Sequence, residues 1–134
     1  MKNNLKLVLI ALLAITSCKK KDDIKPLIEL ESPVTEQTFK PGEEIVFKAV
    51  FKDNIELAQF KIDIHDDFDG HSHKVAIQPW AEIIVGELKG KEDMVEKKIV
   101  IPFDAAHGNY DFIVQCIDVS GNEASIALEF SIEE

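Results

Sequence analysis

Three of the four histidines in this 134-residue chain, His65, His71 and His73, fall in the run Ile62-Asp-Ile-His-Asp-Asp-Phe-Asp-Gly-His-Ser-His73, interleaved with Asp63, Asp66, Asp67 and Asp69. Imidazole nitrogen and carboxylate oxygen are ligands for borderline divalent cations, so the chemistry these residues could do is metal binding. His71 and His73 stand at i and i+2, and in extended chain such side chains point the same way and reach one ion. A fourth ligand could come from His107 or from a loop carboxylate, Asp69 or Asp67. Zinc, or another nitrogen-loving ion such as Cu(II) or Ni(II), suits this set. Cu(I) does not, because no methionine or cysteine is close in sequence. His65-x-Asp67-x-Asp69-Gly70 is faintly similar to a calcium loop, but its first position is histidine and its twelfth is Ala76 rather than a bidentate glutamate. Metal-binding imidazoles must be neutral, so affinity should weaken as pH falls through about 6.5.

Other candidates are weaker. Asp53, Asn54, Asp118 and Asn122 read as turn residues, whose side chains usually bond their own backbone. They belong to the opposite end of a sandwich, where cadherin-like domains hold calcium. Trp80 reads as packing rather than a sugar platform. Cys116 alternates with Tyr110, Phe112 and Val114, which marks it as core rather than as a nucleophile served by His107. No serine elbow, phosphate-cradling glycine loop or cysteine metal knuckle is present, so the expectation is a binding protein and not an enzyme.

The start of the chain is an address. Lys2 and Lys6 precede an unbroken apolar run, Leu7 to Ile15, whose nine residues are too few to span a bilayer and match a secretory signal core. Ile15-Thr-Ser-Cys18 resembles a bacterial lipobox, which implies cleavage after residue 17 and a membrane anchor through a lipid on Cys18. Residues 18–26 then read as a lipidated cysteine and flexible tether. Asp22-Asp23 in it resembles the export tract of lipoproteins shown on the outer face of Gram-negative outer membranes, with the periplasmic face as the alternative. Loss of Lys2 and Lys6 takes the formal charge from -10 to -12. So acidic a surface repels phosphate backbones and argues against nucleic acid. Every cation is a lysine, which leaves no arginine fork for phosphate or carboxylate. With Cys18 lipidated, Cys116 has no partner for an internal disulfide.

Residues 27–134 must position the histidines, and their period is two. Leu27 to Leu30, Glu44 to Phe51, Ala58 to His65, Val95 to Ile101, Tyr110 to Ile117 and Ala124 to Ile132 alternate or nearly so, whereas Val75 to Lys91 shows no clear order. About seven short strands and no convincing helix predict an all-β, immunoglobulin-like antiparallel β-sandwich. A tight hairpin after His65 would set Val75 and Ile77 on a polar face opposite Lys61. The expectation is therefore a loop crossing toward the other sheet, with the histidines and His107 at one end.

Gly108-Asn-Tyr110-x-Phe-x-Val114 leading to Asp118-Val-Ser-Gly-Asn122 resembles the last hairpin of bacterial immunoglobulin-like domains. Ile64-His65-Asp-Asp-Phe68-Asp69-Gly-His71-Ser-His73 is similar to the signature Ile-His-x-x-Phe-Asp-x-His-x-His of an uncharacterised family of Gram-negative bacterial lipoproteins. That resemblance implies the sandwich and the lipid anchor and brings no activity with it. Two functions follow as expectations: a membrane-anchored, zinc-like metal-binding domain, or a non-catalytic adhesion or assembly module for a protein or glycan partner.

Overall fold

A computed structural model describes residues 21–67 and 79–134 of the chain, which form eight strands in two sheets. They are β1 (Leu27–Ser32), β2 (Gln37–Phe39), β3 (Glu44–Lys52), β4 (Leu57–Asp66), β5 (Glu82–Glu87), β6 (Glu92–Val100), β7 (Gly108–Asp118) and β8 (Glu123–Ile132). One sheet has the order β1-β3-β6 and the other β2-β8-β7-β4-β5. All pairings are antiparallel except that of β2 with β8. This is the expected immunoglobulin-like sandwich, with eight strands where the sequence predicts about seven.

The core is the set of inward positions that period two assigns. Ile45, Phe47, Ala49 and Phe51 of β3 face Phe60, Ile62 and Ile64 of β4 and Phe112, Val114 and Cys116 of β7, all buried. Phe47 lies between Phe60 and Phe112, with ring centroids 6.2 and 6.1 Å away, in the offset range that aromatic pairs favour. At the start of β4 a register shift between Leu57 and Gln59 carries Leu57 inside. Phe60 is paired with Gly86, and its ring occupies the place where a β-carbon on Gly86 would lie.

Two departures have physical reasons. β2 is three residues long and paired to β8 only by long-range register, so it leaves no periodic trace. β5 is an edge strand with Ile83 and Val85 turned outward, 64% and 58% exposed, and Ile84 inward, which erases the alternation. It also corrects the expected crossing: after β4 the chain returns along β4 in the same sheet, with Ile64 opposite Glu82. Val85 lies opposite Lys61 on the outer face, but the connection from β4 to β5 runs over residues 67–81 and is not the tight hairpin that the pattern disfavours. An edge strand tolerates Val85 there because that face meets solvent on one side.

Tyr110 fixes the corner into β7. Its hydroxyl donates to the Ala106 carbonyl at 2.7 Å and accepts from the Trp80 N–H at 3.4 Å. This is the tyrosine corner of immunoglobulin-like folds. Burial pushes the phenol pKa up, against the pull of the Trp80 N–H, and Asp66 adds to the rise. Tyr110→Phe keeps the packing and strips partners from two backbone groups, so a loss of about 1–3 kcal/mol is expected in urea unfolding. An unchanged midpoint would show that this corner contributes nothing.

Candidate functional site

Register assembles the histidine end of the molecule. His65, the ninth residue of β4, sits opposite Asp111 on β7, and Asp111 sits opposite Glu129 on β8. The three form one row across the outer face of the larger sheet. Its two acids lie directly opposite each other, an arrangement that is unfavourable unless something offsets the charge. Asp67, just past β4, joins them: its backbone N–H bonds the Asn109 carbonyl at 3.0 Å, and carboxylate oxygens of Asp67, Asp111 and Glu129 lie within 4.8 Å of one another.

Both ring nitrogens of His65 face carboxylates. Nδ1 lies 3.2 Å from Asp63 Oδ1 and Nε2 lies 3.5 Å from Asp111 Oδ2. The Lys61 ammonium, 2.8 Å from Asp63 Oδ2, is the first cause holding the Asp63 carboxyl below its usual range. Partial burial works against it, and the His65 hydrogen bond adds to it. The side chain of His65 is 42% exposed, so an ion can reach it from solvent.

Of the expected ligands, His65 and Asp67 are therefore brought toward a common partner, Asp111. His107 is exposed in the β6–β7 connection, at the same end of the sheet, and makes no hydrogen bond or ion pair among the described residues. His71, His73, Asp69 and Cys18, the residue expected to carry the lipid, lie outside the described residues. Asp63, Asp111 and Glu129 were not singled out from the sequence as ligands. Each is an outward position on a strand; Asp63 shares a face with His65 by its i, i+2 spacing, whereas only cross-strand register brings Asp111 and Glu129 into that neighbourhood.

The remaining candidates resolve by burial. Trp80 is buried, with its ring centroid 6.2 Å from that of Tyr110, so it packs. Cys116 is fully buried, and burial, followed by the charges of Asp53 and Asp118, pushes its thiol up to about 12. Such a thiol is not a nucleophile. Asp53 and Asp118 accept backbone hydrogen bonds from their own turns, as expected of them.

Comparison with known proteins places the fold. The chain is similar to OgpA from Akkermansia muciniphila, solved in a catalytically inactive form with an O-glycopeptide substrate. The TM-score is 0.55 at 15% identity over 87% of this chain and 32% of that one. It is similar to a DUF4466 family protein from Parabacteroides merdae, with TM-score 0.54 and 14% identity over 78% of this chain and 43% of that one. It is also similar to the sporulation control protein Spo0M from Bacillus subtilis, with TM-score 0.51 and 13% identity over 82% of this chain and 49% of that one. The chain thus spans less than half the length of each, and at these identities the likeness is one of fold. No curated protein matches by sequence. A family model described as Domain of unknown function (DUF4625) matches residues 16–133.

Proposed function

This chain belongs to the family described as Domain of unknown function (DUF4625), and from that premise we propose that it is a lipid-anchored, non-enzymatic module that binds a divalent transition metal, zinc first, at its His65 end. The anchor is the lipid on Cys18 and the location is the outer membrane, at the cell surface or on its periplasmic face. His65, His71 and His73 supply nitrogen, and Asp111, Asp67, Asp69 or His107 completes the set.

One observation carries the reading: carboxylates face both nitrogens of a single imidazole. In the neutral form that can hold a metal the ring has one N–H, so its other nitrogen presents a lone pair toward a carboxylate oxygen. A cation between them removes that repulsion. Bonds of 2.0–2.1 Å in tetrahedral geometry put two zinc ligands about 3.3 Å apart, and His65 Nε2 and Asp111 Oδ2 are 3.5 Å apart. The ion would either fix the connection after β4 or be cargo captured at the membrane.

The test is zinc titration and metal analysis of the full chain in detergent, beside a His71→Ala, His73→Ala double variant and His65→Ala. Loss of an outer-shell partner costs 10–100-fold in affinity, so removal of direct ligands should weaken binding by at least about 100-fold. Equal, negligible binding by all three proteins would sink the idea. Adhesion or assembly is the second reading, favoured by exposed Ile83 and Val85 on the open edge strand β5, the kind of edge that pairs with another chain. A protein or glycan partner captured equally by the wild type and by the histidine variants would support it.

A further inference from the structure

At the end of the sandwich remote from His65, the carboxylates of Asp22, Asp53 and Asp118 converge, one oxygen from each lying within 4.8 Å of the others. Asp22 precedes β1, Asp53 follows β3 and Asp118 closes β7, so three distant stretches of chain meet there. The 10 residues of β4 separate this group from His65 by roughly 30 Å.

The hydrogen bonds show which oxygens are committed. Asp22 Oδ1 accepts from the Ile24 N–H at 3.2 Å and from Asn54 Nδ2 at 3.0 Å. Asp53 Oδ2 accepts from the N–H groups of Ile55 and Glu56, both at 2.8 Å. Asp118, 2% exposed, accepts from Ser120 N and Asn122 N at Oδ1 and from Asn122 Nδ2 at Oδ2. Two oxygens remain, Asp22 Oδ2 and Asp53 Oδ1. Both are sealed from solvent, and neither accepts a hydrogen bond from any described residue. Among the described residues every ion pair is made elsewhere, so no lysine or histidine neutralises the three acids. Buried carboxylate oxygens with neither donor nor counter-charge are costly, and a cation is what makes such a group tolerable.

We propose that Asp22, Asp53 and Asp118 bind Ca2+, and that the ion fastens the segment leading into β1 to this end of the sandwich. The donors are all carboxylate oxygen, the preference of a hard cation, with no nitrogen or sulfur to favour zinc. Ca2+–O bonds of 2.3–2.6 Å span up to about 5 Å between ligands across the ion, and the three oxygens fall inside that span. Mg2+ demands near-ideal octahedra at 2.0–2.1 Å, which three carboxylates already tied to separate loops do not offer. Asn122 braces the same junction, since its Nδ2 also lies 3.3 Å from the Asp22 carbonyl oxygen. The ion would set how the domain stands relative to whatever precedes Asp22. This site and the His65 site share no residue, so either can fail alone.

The experiment follows thermal unfolding of the full chain in detergent by Trp80 fluorescence, with CaCl2, MgCl2 or EDTA, for wild type, Asp22→Asn and Asp53→Asn. Hydrogen exchange of residues 22–26 is measured in parallel. At a tenfold excess over Kd, calcium should raise the wild-type midpoint by about 5 °C and slow exchange in residues 22–26, with each variant losing most of both effects. Asp22 lies outside every strand, so Asp22→Asn leaves the sandwich folded and a lost response reports the site. No calcium-dependent rise in the wild type, an equal rise in the variants, or exchange in residues 22–26 indifferent to calcium would each overturn the proposal. An equal rise with magnesium would overturn the choice of ion.

Discussion

Phe112→Ala should lower the unfolding free energy by about 3–5 kcal/mol, the usual cost of emptying a buried phenylalanine site. Phe112 is fully buried at the middle of β7, and its ring centroid lies 6.1 Å from that of Phe47 and 6.5 Å from that of Phe130. β7 is hydrogen-bonded on both sides, to β4 and β8, so the strands around the missing ring cannot simply close over it. Domains of this size have about 5–15 kcal/mol in all, which puts the variant near the edge of folding. Because β7 carries Asp111 toward one end and Asp118 at the other, both candidate ion sites should weaken with it. Ile83→Ser is the control: Ile83 is 64% exposed on β5, and its loss should cost no more than about 0.5 kcal/mol. Urea unfolding of the two variants compares them, and similar midpoints would mean that the core does not lie where the register puts it.

Asp118→Ala comes next, at about 2–3 kcal/mol in EDTA at neutral pH. It removes the acceptor for the Ser120 and Asn122 N–H groups and for the Asn122 amide, all three within the turn joining β7 to β8. Each buried donor left without a partner costs about 1–3 kcal/mol, and partial access to water lowers the sum. The pH dependence has a definite sign. Burial is the largest influence on Asp118 and raises its pKa, but the Asn122 side chain and the backbone N–H groups of Asn122, Ser120 and Gly121 together outweigh it and hold the carboxyl below its ordinary 3.8. A group with a depressed folded pKa contributes stability that is fully present above the unfolded value and is lost as pH falls through the folded one. The gap between wild type and variant should therefore be constant above about pH 5 and narrow below 3.8. Urea midpoints from pH 7 down to pH 3 measure this, and a gap that widens in acid would contradict the assignment.

The strands that bury one face were legible from alternation alone. β3, β4, β7 and β8 repeat apolar residues every second position, because a strand between a core and water has no other way to satisfy both faces. Their turns were legible for the same local reason, as the side chains of Asp53 and Asp118 bond backbone groups two to four residues onward. The core place of Cys116 followed from that pattern. β5 was not legible: an edge strand with Ile83 and Val85 outward and Ile84 inward has the composition of a buried strand without its periodicity.

The chemistry divides along the same line. The sequence by itself determined the ligand types and their density between His65 and His73, the acidic balance, and the sandwich that carries them. Only the tertiary structure decided that Asp111 and Glu129 share a row with His65, and that Asp22 from the leading segment meets Asp53 and Asp118. The physical reason is range. Alternation, turn chemistry and ligand identity are properties of neighbours along the chain. Which carboxylates end up within reach of one ion depends on strand register and on where a segment without periodicity comes to rest.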